Sequence, residues 1–145
     1  MNTGKLLGID HGVQRIGLAV CDETRLIARE LTIIHRTSKR EDFEKINQLA
    51  KHQKVVGIII GIPLDLDAEP GVHTQADTVR LWVERFQETT DLPIKLWDET
   101  MTSHEAAELS RQKKRRPQDP IDDLAARIIL QSYLDAVRDG ITEAL

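Results

Sequence analysis

The chain has 145 residues, of which 40% are hydrophobic, 30% are charged and 3% are aromatic, and its formal net charge is −4. This length suits one hydrophobic core, so we predict a single domain over residues 1–145. The negative charge excludes a general attraction to nucleic acid, and any such binding has to be local. The scarcity of aromatic side chains excludes an extended stacking surface for single-stranded bases.

The single cysteine, Cys21, excludes a disulfide within the chain and is typical of a reducing compartment. Its position in an apolar run favours a small core residue over a nucleophile. No apolar run approaches the roughly 20 residues that cross a bilayer, and no signal-peptide pattern precedes the first predicted strand. We therefore expect a cytoplasmic protein that does not bind membranes.

Two apolar runs at the start of the chain predict a β-hairpin. Residues 6–10 and 15–20 form its strands, and Gly12 lies in the turn between them. Asp10 comes at the end of the first strand, where a rigid sheet can direct its carboxylate into a cleft. The run 26–35 is rich in β-branched residues and predicts a third, antiparallel strand.

Helices and strands alternate in the middle of the chain. Ser38 and Glu41 form a capping box that opens the first predicted helix. The continuously apolar run 55–62 predicts a strand that is covered on both faces. A second helix follows, with core positions at helical spacing. These positions are Val79, Trp82, Val83 and Phe86.

The last third of the chain predicts a short strand and two helices. The strand 93–97 runs into Glu99, and a short helix follows. Asp119 is the predicted N-cap of the final helix, Pro120 its first-turn proline and Gly140 its end. The complete order, βββαβαβαα, predicts an α/β fold with a mixed five-stranded sheet, in which strands one, four and five are parallel.

Acidic residues come together at one edge of this predicted sheet. Asp10 and Glu99 follow parallel strands, and Asp122 shares a helical stripe with the apolar residues that we expect to pack on the sheet. Asp123 lies four residues before Arg127, a spacing suited to an exposed ion pair. Carboxylates from separate elements bind hard cations such as Mg²⁺ or Mn²⁺, which support phosphodiester hydrolysis.

Each of the three acids also has a structural interpretation. Asp10 suits a turn, Glu99 a solvated loop, and Asp122 the first turn of a helix, where a negative charge complements the helix dipole. Only their coincidence at one predicted edge favours a functional site.

Four blocks of the sequence match the motifs of a known family in the same order. They are G-I-D-H-G-V-Q-R-I-G-L-A-V from Gly8, G-I-P-L-D-L-D from Gly61, W-D-E-T-M-T-S from Trp97, and I-D-D-L-A-A with I-L-Q-S-Y-L from Ile121 and Ile129. Together they resemble the YqgF family, also called RuvX-like, of Holliday-junction resolvases and pre-16S ribosomal RNA nucleases. The resemblance implies a ribonuclease H-like fold.

The resemblance also implies a set of catalytic acids that bind Mg²⁺ or Mn²⁺. These acids are Asp10, Glu99 and Asp122. Two positive charges of the family are missing from this chain. Thr100 stands where the family has an arginine, and Gln14 stands in place of a lysine beside Arg15. We expect both differences to weaken substrate binding.

A basic segment before the last helix is the predicted contact with nucleic acid. Its residues are Arg111, Lys113, Lys114, Arg115 and Arg116. The alternative is a solvated, flexible loop. Arg15 is a further candidate contact with nucleic acid. Its guanidinium group either binds a phosphate or pairs with a carboxylate and so stabilises the hairpin. The five histidines have no metal-ligand spacing, so no zinc site is predicted.

These observations support a leading hypothesis and two alternatives. The leading hypothesis is a metal-dependent endonuclease that acts on structured RNA or branched DNA. Maturation of the pre-16S rRNA 5′ end is the first candidate reaction, and Holliday-junction resolution is the second. Ribosomal precursor particles are further candidate partners. The expected assembly is a monomer or a homodimer. One alternative is a non-catalytic RNA- or ribosome-binding module. The other is an ATP-binding protein, because G-I-D-x-G also opens phosphate loops in the actin and sugar-kinase superfamily. Those proteins close two domains around the nucleotide, and this chain is long enough for one.

Overall fold

The computed structural model describes residues 3–63, 69–99 and 102–145, with the backbone alone at 102–104. Its elements are β1 (Leu6–His11), β2 (Arg15–Cys21), β3 (Ala28–His35), α1 (Lys39–Gln53), β4 (Gly57–Ile62), α2 (Gln75–Gln87), β5 (Ile94–Asp98), α3 (Thr102–Gln112) and α4 (Asp122–Arg138). The predicted order βββαβαβαα is confirmed.

The strands form one mixed sheet in the order β3-β2-β1-β4-β5. β1 pairs antiparallel with β2, and β2 with β3, whereas β4 runs parallel to both β1 and β5. The carboxyl ends of β1, β4 and β5 therefore meet at one edge, as predicted. The backbone N–H of Glu99 donates to the carbonyl of Ile62 at 3.2 Å and prolongs the pairing of β4 with β5 up to that edge.

Alternate side chains of the strands face two separate cores. Leu7 and Ile9 pack with side chains of α1 and α2 on one face, whereas Leu6 packs with side chains of α4 on the other. All four predicted core positions of α2 are buried, and Ser38 caps α1 by accepting a hydrogen bond from the Glu41 N–H at 3.1 Å. No helix in the described ranges has the length and apolar character needed to cross a membrane.

The third strand starts two residues later than the sequence pattern predicts. Leu26 and Ile27 are exposed and precede β3, which begins at Ala28. Their backbone N–H groups donate to Oδ1 of Asp22 at 2.9 and 3.0 Å. This side chain closes a turn and keeps both residues out of the ladder.

The predicted start of the last helix is wrong, and its predicted end is confirmed. α4 begins at Asp122 after Ile121, which makes no side-chain cap. Asp119 does not cap it, because its carboxylate accepts hydrogen bonds from the backbone and guanidinium of Arg116 at 2.9 to 3.2 Å. At the other end Gly140 has φ +74°, and its N–H donates to the carbonyl of Val137 at 3.1 Å.

Candidate active site

Asp10 and Glu99 are hydrogen-bonded to each other at the edge where β1, β4 and β5 end. β4 lies between the strands that carry them, and Gly61 leaves space above it. A Cβ atom at Gly61 would lie 2.9 Å from Oε2 of Glu99. Because that atom is absent, the Glu99 side chain can cross β4 and reach Asp10.

The two carboxyl groups share a proton near neutral pH. Burial and the negative charge of Asp122 together raise the pKa of Asp10 to about 6, although the hydrogen bond with Glu99 lowers it. Burial and the negative charge of Asp10 raise the pKa of Glu99 to about 8. Protonated Glu99 therefore donates to ionised Asp10, and the pair carries one negative charge instead of two.

Asp122 lies beside this pair because α4 packs directly on β2. Gly17 is the cross-strand partner of Asp10, and a Cβ atom at Gly17 would lie 1.8 Å from the carbonyl oxygen of Asp122. Only glycine permits this approach. The Asp122 carboxylate, however, accepts a hydrogen bond from Nε of Arg15 at 2.7 Å. Of the two roles predicted for Arg15, the structure has the contact with a carboxylate.

The predicted metal site is therefore only partly assembled. Within residues 3–63, 69–99 and 102–145, no group of three or more Asp, Glu, His or Cys side chains is arranged to hold a metal ion. The chemistry of the three acids nevertheless fits Mg²⁺ or Mn²⁺, since both ions prefer oxygen donors. The shared proton of Asp10 and Glu99 also marks a position where positive charge is favoured.

Asp123 is buried, and its predicted exposed ion pair with Arg127 is wrong. Its side chain accepts hydrogen bonds from both terminal nitrogens of Arg115, at 2.8 and 3.0 Å. Arg127 instead pairs with Glu30 of β3 at 3.3 Å. The segment between α3 and α4 folds over the start of α4, and this contact overrides the helical spacing.

The predicted nucleic-acid contacts are largely paired with acids. Lys113 binds Glu30 at 3.1 Å, and Arg116 binds Asp119 at 3.0 Å. Arg111, which lies in the last turn of α3, pairs with Glu108. In the part of the chain that the structure describes, Lys114 has no carboxylate partner. The segment thus has less unpaired positive charge than its sequence indicates.

Glu30 belongs to this region, although the sequence patterns did not predict it. Its carboxylate lies within 4 Å of the charged nitrogens of Lys113, Arg115 and Arg127, at 3.1, 3.9 and 3.3 Å. A partly buried carboxylate inside a strand requires positively charged partners. The position of Glu30 within the predicted third strand was therefore the feature of the sequence that could have indicated these ion pairs.

His11 follows Asp10 in the chain but faces the opposite core. Its ring centroid lies 4.9 Å from that of Trp82, and its Nε2 lies 3.2 Å from Nη1 of Arg36. Burial lowers the pKa of His11 to about 4, so the ring is neutral at physiological pH. Thr100, like residues 64–68 of the second sequence block, lies outside the described residues.

Comparison with known proteins identifies the family. A family model described as "RuvX: Holliday junction resolvase" matches residues 4–136. The chain belongs to the RuvX family. RuvX proteins are hydrolases that act on phosphodiester bonds, so the predicted enzyme class is confirmed together with the resemblance.

Two curated relatives of this RuvX protein carry the name "Putative pre-16S rRNA nuclease". The protein of Syntrophus aciditrophicus is 43% identical over 136 residues, which cover 92% of this chain and 89% of the relative. The protein of Thermoanaerobacter pseudethanolicus is 38% identical over 142 residues, which cover 93% and 99%. Both alignments thus cover nearly the whole chain.

A solved structure supports the fold of this RuvX chain at much lower identity. The chain is similar to Thermus thermophilus RuvC in complex with a Holliday junction substrate, with a TM-score of 0.60 and 14% identity. The similarity covers 97% of this chain and 99% of RuvC. It confirms the predicted ribonuclease H-like fold class.

Proposed function

We propose that this RuvX protein is a cytoplasmic, divalent-metal-dependent endonuclease that cleaves structured nucleic acid. The observation that carries this proposal is the partly buried, hydrogen-bonded pair of Asp10 and Glu99 with Asp122 beside it. Three acids from a strand, a strand end and a helix start would form one negatively charged site at the edge of the sheet. Such a site suits a hard cation and the phosphate group that it binds.

In this proposal Asp10, Glu99 and Asp122 would hold Mg²⁺ or Mn²⁺, which would supply charge stabilisation for the phosphodiester and an activated water. The acids set the geometry, since the sheet fixes Asp10 and Glu99, and the packing of α4 on Gly17 fixes Asp122. Glu99 has to give up the proton that it donates to Asp10 before both carboxylates act as ligands. Both side chains are only partly exposed, which limits access of bulk water.

The proposed substrate is the precursor of 16S rRNA, cleaved in the maturation of its 5′ end within ribosomal precursor particles. The shared name of the curated relatives supports this choice. A Holliday junction is the second candidate, supported by the description of the family and by the substrate in the RuvC structure.

We also propose that the basic residues around α3 and the start of α4 contact the phosphate backbone. They are Arg15, Arg111, Lys113, Lys114, Arg115 and Arg116. The ion pairs of Arg111 and Arg116 are exposed at the surface, where such pairs contribute little to stability and exchange readily for phosphate. Lys114 is exposed and can bind a phosphate without first giving up a carboxylate partner.

Cleavage assays with the purified chain test this proposal. We expect a precursor 16S rRNA fragment, and to a lesser extent a four-way DNA junction, to be cleaved with Mg²⁺ or Mn²⁺ and not with EDTA. Asp10→Asn should abolish cleavage without lowering the melting temperature, whereas Asp91→Asn, the same change at an exposed acid, should leave cleavage unchanged. Cleavage by Asp10→Asn at the wild-type rate would disprove the site.

The alternative function is a non-catalytic binding module. The hydrogen bond between Arg15 and Asp122 favours it, because a protein that only binds nucleic acid needs no complete metal site. The same assay separates the two functions. RNA binding in gel-shift experiments without cleavage under any metal condition would establish the binding module.

A further inference from the structure

A cavity of about 500 Å³ adjoins the candidate active site. It lies between α3, the segment that follows it and the start of α4, and its wall includes Arg15, Arg115 and Asp122. Asp119, the other acid of the wall, is neutralised by Arg116. The wall also includes Arg111, which pairs with Glu108. A group bound in this cavity would therefore lie beside an acid of the site and three guanidinium groups.

The guanidinium groups of Arg15 and Arg115 differ in how firmly they are held. Arg115 uses both terminal nitrogens on buried Asp123, and one of them also donates to the carbonyl of Pro120 at 3.1 Å. Arg15 is more exposed, at 37% against 24%, and it binds Asp122 through Nε alone. Within the described part of the chain, the terminal nitrogens of Arg15 have no acceptor. Arg115 is thus a fixed wall, whereas Arg15 retains free donors beside the cavity.

We propose that this cavity binds one phosphate group of the nucleic-acid strand and that Arg15 exchanges Asp122 for that phosphate. A guanidinium group presents parallel donors that match two phosphate oxygens, whereas its present contact with Asp122 is a single hydrogen bond. The exchange releases the Asp122 carboxylate beside Asp10 and Glu99. This inference rests on the proposed function, because it assigns the released carboxylate to the metal site.

The exchange makes Arg15 a positioning residue that couples two binding events. In the free protein Arg15 competes with a divalent cation for Asp122, and Asp122 competes with phosphate for Arg15. Bound nucleic acid therefore favours the cation, and the cation favours nucleic acid, by the same factor. Removing the Arg15 side chain should therefore strengthen cation binding and weaken nucleic-acid binding. Removing the Asp122 charge should do the reverse.

The first experiment measures Mn²⁺ binding to the full chain by titration calorimetry without nucleic acid. Arg15→Gln should bind Mn²⁺ about fivefold or more tightly than wild type, because Asp122 is free. Arg15→Lys should stay near wild type, since an ammonium group still pairs with Asp122. Arg40→Gln removes the same charge from an exposed ion pair in α1 and should leave Mn²⁺ affinity unchanged. Equal or weaker Mn²⁺ binding by folded Arg15→Gln would overturn the exchange.

The second experiment measures RNA binding in EDTA, where cleavage cannot occur, by fluorescence anisotropy of a labelled precursor 16S rRNA fragment. Asp122→Asn should bind the RNA about fivefold or more tightly than wild type, because Arg15 is released. This gain should vanish in the double variant Arg15→Gln/Asp122→Asn. A gain that persists in the double variant reflects the lost negative charge alone and would overturn the phosphate site.

Asp10→Asn distinguishes a failure of this inference from a failure of the proposed function. If Asp10→Asn loses Mn²⁺ binding while Arg15→Gln binds Mn²⁺ as wild type does, the metal site stands and the exchange is refuted. If Asp10→Asn binds Mn²⁺ as tightly as wild type, the proposed metal site fails. The RNA experiment then decides the phosphate site by itself.

Discussion

Arg115 donates hydrogen bonds to both carboxylate oxygens of Asp123, at 2.8 and 3.0 Å. This contact ties the segment after α3 to the first turn of α4, which has no side-chain cap. Asp123 directly follows Asp122, so the same contact helps to fix the helix start that delivers Asp122 to the site. Arg115 thus has a structural role as well as its proposed role as a wall of the phosphate cavity.

We expect Arg115→Ala to lower the free energy of unfolding by about 3 kcal/mol, because it leaves the buried Asp123 carboxylate without its partner. Arg115→Lys should recover only part of this loss, since an ammonium group cannot make the paired contact. Urea denaturation measures both effects. Arg116→Ala is the matched control, because its ion pair is exposed and should contribute at most about 1 kcal/mol. Equal losses for the two alanine variants would contradict the role of the buried pair.

Gly61→Ala should impair cleavage far more than it impairs folding. The added methyl group would lie 2.9 Å from Oε2 of Glu99 and 2.4 Å from Cδ1 of Ile129, and both side-chain ends would have to move. We expect a loss of stability of about 1–3 kcal/mol and a loss of cleavage rate of about 100-fold, because Glu99 is displaced from Asp10.

Gly57→Ala is a matched control for that variant on the same strand. Its methyl group would also meet side-chain ends, at 2.7 Å for Leu145 and 3.0 Å for Leu6, but distant from the acids. Unfolding curves and cleavage rates of the two variants give the comparison. If Gly57→Ala loses as much activity as Gly61→Ala at equal stability, the role assigned to Gly61 is wrong.

The chain order of the strands and helices, and the meeting of Asp10 with Glu99 at one edge, could be predicted because local sequence patterns indicate them. The continuous apolar run of β4 indicates a strand covered on both faces, and parallel strands bring their carboxyl ends to one edge. The passage of Glu99 across Gly61 could not be predicted, because it depends on β4 lying between β1 and β5 and on the exact side-chain path.

The environment of Asp123 could not be predicted for a different reason. Helical spacing relates Asp123 to Arg127 but contains no information on the segment that folds over the helix start. That segment buries Asp123 under Arg115, and Arg127 turns to Glu30. The contact of Arg15 with Asp122 likewise joins residues that are 107 positions apart. Ion pairs of this kind are properties of tertiary packing, and residue spacing does not reveal them.

The shared proton of Asp10 and Glu99 should make the metal-free protein less stable as the pH rises. Their pKa values of about 6 and about 8 exceed the ordinary 3.8 and 4.5, so the folded protein binds these protons more tightly than the unfolded chain. This stabilisation is complete below about pH 4 and is lost as the pH rises through about 6 and about 8.

We expect the unfolding free energy in EDTA to fall by about 2 kcal/mol more for wild type than for Asp10→Asn between about pH 5 and about pH 9. Urea denaturation at a series of pH values measures the difference. Asp91→Asn should follow the wild-type curve, because it leaves the pair intact. Parallel curves for wild type and Asp10→Asn would contradict the shared proton.

Binding of Mn²⁺ should expel the proton that Glu99 donates to Asp10, because metal ligands have to be deprotonated. At about pH 7 the pKa values of about 6 and about 8 leave the pair with one proton, so we expect about one proton to be released per bound ion. Titration calorimetry in two buffers of different ionisation enthalpy counts it. Glu99→Gln removes the donor and should reduce the release to about zero, whereas Arg40→Gln should retain it. An unchanged release in Glu99→Gln would mean that the proton comes from another group and that Glu99 is not a ligand.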